Sequence, residues 1–150
     1  MIKIRNSRST DGERVLEIWR DAVFTTHAFL SHEDRIAIEM EVRDFLPAAP
    51  LWLAVNEDDQ ALGFMLLSGA HMEALFIDPA HHGKGIGHAL VNHALTLHEC
   101  LTTDVNEQNA QAAAFYFRIG FKATGRSECD SQGRAYPLIH LKFQPQSKKD

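Results

Sequence analysis

The sequence predicts an α/β domain: a mixed central β-sheet of about seven strands flanked by about four helices. Three observations lead there. Strand-like and helix-like stretches follow one another as strand, two helices, three strands, helix, strand, helix, two strands. The three consecutive strands are joined by short turns, which favours antiparallel pairing. The strand–helix–strand passage around Gly85 favours a parallel pair with a right-handed crossover.

Each element has its own signal. Ile2 and Ile4 alternate with charge and mark the first strand. Thr10-Asp11-Gly12-Glu13 is a capping-box pattern, and Val15, Ile18, Trp19, Ala22 and Val23 then line one helix face. Ser31 opens a second helix with Asp34 in its first turn and Ile36, Met40 and Phe45 among its apolar residues; Pro47 and Pro50 stop it. Leu51 to Val55 and Ala61 to Leu67 are strands around the turn Asn56–Gln60. After a break at Gly69-Ala70, a third strand runs from about His71 to Ile77. A helix follows from about Gly85 to His98, with Ile86, Leu90, Ala94 and Leu97 as its buried stripe. Thr102 to Val105 is a short strand, and Asn109 to Ile119 is a helix ended by Gly120. Phe121 to Glu128 and Ala135 to Phe143 are expected to pair around Asp130–Gly133.

Residues 1–150 are expected to form one domain, with about 144–150 a loose C-terminal tail. The net charge of −5 argues against non-specific nucleic-acid binding, and the Lys148-Lys149 pair is too short to change that. The longest apolar runs, such as Leu62 to Leu67, fall far below a membrane span. Met1 to Arg5 alternates like a strand rather than forming a leader, so a cytoplasmic location is expected. Cys100 and Cys129 are too few and too isolated for a disulfide framework or a zinc site.

The chemistry concentrates in His82-Gly83-Lys84-Gly85-Ile86-Gly87. Glycines at alternate positions let a backbone approach a bulky group, and the helix that follows offers unpaired N–H groups to an anion. No Ser or Thr follows Lys84, so the stretch is not a P-loop. Counted from Gly83, the last position of a dinucleotide fingerprint is His88, so that motif fails too. The stretch does fit [Q/R]-x-x-G-x-[G/A], occupied by His82, Gly85 and Gly87. Downstream come Asn109-x-x-Ala112-x-x-Phe115-Tyr116 and Gly120-Phe121.

With both motifs in place, residues 1–143 resemble the GNAT superfamily of acetyl-CoA-dependent N-acetyltransferases. Thr26-His27-x-Phe29-Leu30, Phe45 to Trp52 and Val105 to Asn109 are similar to its YjaB-type bacterial branch. His82 departs from the family's usual Gln or Arg. The resemblance implies the GNAT fold, in which a parallel strand pair splays apart. It implies that the diphosphate of acetyl-CoA rests on His82, Gly83, Lys84, Gly85, Ile86, Gly87 and His88. The pantetheine arm would run beside Leu75, Phe76 and Ile77, whose strand would lend a backbone N–H to the thioester carbonyl. Asn109, Ala112 and Phe115 belong to the same cofactor-binding set; Asn109 would contact the pantetheine amides or cap its helix.

Transfer needs a neutral amine. Deprotonating a lysine of reference pKa about 10.4 at pH 7 costs roughly 4–5 kcal/mol, which a general base relieves. Glu73 is the candidate base, expected beside Leu75 and Ile77 in apolar surroundings that would raise its pKa. Tyr116 is the candidate acid for the departing thiolate. His27 and Phe29 are expected to shape the acceptor pocket. His88, His93 and His98 rotate about 140° per step on a helix and share no ligand face, so no metal is expected.

The sequence therefore reads as an N-acetyltransferase. It would move an acetyl group directly from acetyl-CoA to a primary amine in a ternary complex. The acceptor would be a protein lysine, a peptide N-terminus or a small amine. No nucleic-acid or membrane partner is expected, and the enzyme would be a monomer or homodimer. A non-catalytic acyl-CoA-binding or sensing module is the rival reading.

Overall fold

The computed structural model describes residues 2–26, 30–130 and 133–143, and the elements follow the expected order. They are β1 (Lys3–Asn6), α1 (Gly12–Thr26), α2 (His32–Phe45), β2 (Trp52–Val55), β3 (Ala61–Ser68) and β4 (His71–Ile77). Then come α3 (Ile86–Leu97), β5 (Leu101–Asn106), α4 (Ala110–Ile119), β6 (Phe121–Ser127) and β7 (Leu138–Phe143). The seven strands form one sheet in the order β1-β2-β3-β4-β5-β7-β6. β1–β2, β2–β3, β5–β7 and β6–β7 pair antiparallel, and β4–β5 pair parallel. The parallel ladder is short, His71 with Thr102 and Met72 with Thr103, as a splayed pair requires.

The chain divides into two compact units, Met1–Leu66 with Ala74–His93, and Leu67–Glu73 with Ala94–Asp150. In the first, Val15, Ile18, Trp19 and Val23 of α1 meet Leu53, Val55, Phe64 and Leu66 of the sheet in one buried cluster. Their i, i+3, i+4, i+8 spacing makes α1 a helix with one buried face. Burying each such side chain contributes about 1.5–3 kcal/mol. Asp11, not Thr10, fixes the start of α1. Its carboxylate accepts the Arg8 N–H at 2.7 Å and an Arg5 guanidinium hydrogen at 2.9 Å, and a short 3₁₀ turn (Ser9–Asp11) precedes the helix. Ser31 caps α2 as expected, accepting the Asp34 N–H at 3.1 Å. The packed side of α2 differs from expectation: Ile38 and Val42 meet the core, while Ile36, Met40 and Phe45 are exposed.

Gly63 in β3 is required by close approach. A Cβ there would lie 2.8 Å from the Ile77 side chain and 2.9 Å from the Phe76 carbonyl oxygen. In the second unit, Leu101, Val105, Ala113, Phe121 and Leu141 are buried. β7 begins at Leu138 rather than Ala135. Pro137 has no N–H for a ladder, and the Tyr136 N–H turns back to the Arg134 carbonyl at 2.7 Å. The expected 144–150 tail lies outside the described residues. Among the described residues, no helix is long and apolar enough to cross a membrane.

Candidate active site

The glycine loop is held at its entrance by Asp78, the residue after β4. Asp78 is buried; its carboxylate accepts the Arg14 guanidinium at 2.6 Å and the Ala80 N–H at 3.0 Å. Burial works to raise this carboxyl's pKa, but the two hydrogen bonds and the Arg14 charge outweigh it and hold it below the ordinary value. A 3₁₀ turn (Pro79–His81) follows, and the His82 N–H closes it on the Pro79 carbonyl at 3.2 Å. The His82 N–H is thereby committed to the turn.

Gly83 and Gly85 both adopt φ of +79°, the left-handed region that favours glycine. No atom lies within 4 Å of a Cβ built on either, so backbone conformation rather than crowding fixes glycine there. Ile86, 1% exposed, pins the start of α3 to the interior. Ala89 is the residue whose N–H closes the first turn, on the Gly85 carbonyl at 3.0 Å. The N–H groups up to His88 precede that bond and have no intrahelical partner. The loop is thus a row of backbone donors at a helix start, with His82, Gly83, Lys84, Gly85 and His88 exposed and Gly87 half-buried.

Leu75, Phe76 and Ile77 of β4 are half-buried. Phe76 turns to the core, its ring centroid 5.6 Å from that of Phe64. His93, on α3, packs its ring on Trp52 at 4.4 Å. Among the described residues, no group of three or more His, Cys, Asp or Glu could hold a metal ion. Cys100 and Cys129 are free, exposed thiols.

In the second unit, Asn109 caps α4 by accepting the Ala112 N–H at 3.2 Å. Gly120, at φ +117°, ends that helix as expected. Phe115 is half-buried and meets Tyr116 edge to face at 5.3 Å. Tyr116 is 6% exposed and hydrogen-bonds Thr103. The Thr103 hydroxyl donates to the Met72 carbonyl at 2.8 Å. Its single hydrogen is then committed, so Thr103 accepts from the Tyr116 O–H. Burial pushes the phenol well above its ordinary range and keeps that hydrogen in place.

Met72 and Thr103 are register partners and share one face of the sheet; Glu73 is on the other. The apolar surroundings expected for Glu73 are absent: 46% of its side chain is exposed, and its neighbour is His71, with Nε2 at 3.3 Å from Oε1. That His71 nitrogen is also 3.5 Å from Asp104 Oδ2, and Nδ1 is 2.7 Å from Thr102 Oγ1. Asp104 continues to His140 Nδ1 at 2.6 Å, and His140 Nε2 meets Ser127 Oγ at 2.6 Å. Sequence reasoning missed His71, Asp104 and His140. Period-two spacing puts His71 with Glu73 and Thr102 with Asp104, but only the register brings the pairs together. His27 and Phe29 lie outside the described residues.

A row of backbone donors at a helix start is an anion cradle, the local chemistry that suits a diphosphate-bearing acyl donor. Residues 25–138 match the family described as Acetyltransferase (GNAT) domain. The chain is 58% identical over 141 residues to "Peptidyl-lysine N-acetyltransferase YjaB" of Salmonella typhimurium, covering 94% of this chain and 97% of that protein. It is 57% identical over 143 residues to the protein of the same name from Escherichia coli, covering 95% and 97%. The solution structure of apo-form YjaB from Escherichia coli matches with a TM-score of 0.92 at 57% identity, covering 95% of this chain and 97% of that one. The chain belongs to the GNAT acetyltransferase family. It is an acetyl-CoA-dependent N-acetyltransferase, with acetyl-CoA as cosubstrate and an amine as acceptor.

Proposed function

We propose that the acceptor is a lysine side-chain amine of a protein or peptide, acetylated directly in a ternary complex. The observation that carries this is the 57–58% identity, over nearly the whole chain, with proteins named peptidyl-lysine N-acetyltransferase. In this reading Gly83 to His88 supply backbone donors to the diphosphate of acetyl-CoA. Leu75 to Ile77 flank its pantetheine arm. Glu73 takes the proton of the lysine ammonium, which relieves most of the roughly 4–5 kcal/mol needed to free the amine at pH 7. The amine nitrogen attacks the thioester carbonyl carbon. The C–S bond then breaks, and the Tyr116 O–H gives its proton to the departing thiolate, exchanging Thr103 for sulfur as its partner; the nitrogen's second proton, passed through water, restores the phenol and leaves a neutral amide and a thiol. Burial favours that role because it keeps the phenol protonated.

The test is acetyl-CoA turnover against four acceptors: a lysine peptide with a blocked N-terminus, the same peptide with lysine replaced by arginine, a polyamine and an aminoglycoside. Turnover on the first alone is expected. Turnover on the polyamine or aminoglycoside, with none on the lysine peptide, would overturn the acceptor assignment.

A further inference from the structure

On one face of the second unit, four titratable side chains from three adjacent strands touch in series. Glu73 meets His71 at 3.3 Å, His71 meets Asp104 at 3.5 Å, and Asp104 meets His140 at 2.6 Å. Each imidazole has a hydroxyl on its far nitrogen, Thr102 on His71 and Ser127 on His140, both within 2.7 Å. Strand pairing explains the series: His71 lies opposite Thr102 and Asp104 opposite His140. Lys142 stands opposite Thr102, and Lys122 opposite Lys142, so those two cations share the face. The four side chains are between one third and one half exposed, open enough to exchange protons with water.

We propose that His71 is a positioning and proton-holding residue for Glu73, kept in place by the Asp104–His140 pair. The proposal rests on Glu73 as the general base. A carboxylate alone is a poor place to leave a lysine proton, because its reference pKa is about six units below that of the ammonium. An imidazole is about two units better matched, a factor of roughly a hundred. The proton passes from the ammonium nitrogen to a Glu73 carboxylate oxygen, and from there to His71 Nε2. For that step Nδ1 carries the ring's own hydrogen and donates it to Thr102 Oγ1. The product is a neutral amine, an ionised Glu73 and an imidazolium between two carboxylates. His71, one third exposed, then returns the proton to water.

The test compares His71→Gln, His71→Ala, Asp104→Asn and Glu73→Gln with the parent enzyme, using acetyl-CoA and a lysine peptide. Near-identical acetyl-CoA-induced thermal shifts select the variants that fold, and His71→Gln covers a collapse of His71→Ala. His71→Gln should lower kcat about tenfold or more, with KM for acetyl-CoA within about twofold. The pH profile of its kcat should differ from the parent's. Asp104→Asn should lower kcat less. Free imidazole should restore part of the His71→Ala rate, which a purely structural histidine would not allow. Parent-like kcat and pH profile in His71→Gln, with Glu73→Gln inactive, would sink the relay and leave the base assignment standing. Loss in His71→Gln with full activity in Glu73→Gln would sink both.

Discussion

The glycine loop between β4 and α3 and the sheet face around Glu73 reach their chemistry by opposite routes. In the loop the atoms we assign to binding are backbone N–H groups, set by φ of +79° at Gly83 and Gly85 and by the start of a helix. Side chains there are mostly exposed, and buried Asp78 and Ile86 hold the two ends of the loop. On the sheet face the atoms we assign to proton transfer are side-chain nitrogens and oxygens, set by which strand lies beside which. A backbone site tolerates side-chain change and fails when its dihedrals change. A side-chain site does the reverse. The contrast gives each substitution an expected kinetic signature.

Glu73→Gln should have the largest effect. Removing a general base costs typically a hundredfold or more, so kcat on a lysine peptide should fall by about that factor while acetyl-CoA affinity holds. A loss confined to KM would mean that Glu73 binds rather than catalyses. Asp78→Asn tests a buried polar anchor of the loop. Removing the charge that faces Arg14 should cost about 2 kcal/mol of folding stability, some thirtyfold in the folding constant. The sign with pH follows from the lowered carboxyl. Its contribution is present above the unfolded-state pKa of about 3.9 and fades as pH falls through the lower folded value. Thermal melts of parent and Asp78→Asn should therefore converge below about pH 4. A gap that stays constant into acid would remove the charge from the explanation. Tyr116→Phe should lower kcat about tenfold and leave the binding of acetyl-CoA unchanged. Unchanged turnover would mean that water protonates the thiolate.

The two regions also differed in how far they could be read in the sequence. The loop was legible because its determinants are local: three glycines, a proline and a helix signal within ten residues. Even so, the commitment of the His82 N–H to the Pro79 turn appeared only in three dimensions. The order of elements and the parallel pair were legible from periodicity and connection length. On the sheet face, Glu73 was singled out by its place before the loop, but its surroundings were misjudged. Alternation put Leu75 and Ile77 beside it, whereas the nearer partner is His71, two residues back on the same face. Asp104 and His140 lie 33 and 69 positions away from His71, and only pairing across β5 and β7 brings them near. Local readings likewise missed that α2 packs through Ile38 and Val42, since its apolar residues occupy more than one face.

The two smallest effects probe the loop and should split by mechanism. Gly85→Ala places a Cβ in open space but forces it into the left-handed region, at a cost of roughly 1–2 kcal/mol. The backbone will relax away from φ +79° and carry its N–H groups with it, so KM for acetyl-CoA should rise about tenfold with kcat nearly constant. His82→Ala removes the side chain that opens the glycine loop, and leaves every backbone N–H from Gly83 to His88 intact. Losing one exposed polar contact is worth about 0.5 kcal/mol, so KM should change by less than about threefold. Isothermal titration with coenzyme A measures both variants on the same scale. If His82→Ala matched Gly85→Ala, the imidazole would be gripping the diphosphate itself, and the cradle would be only partly a backbone device.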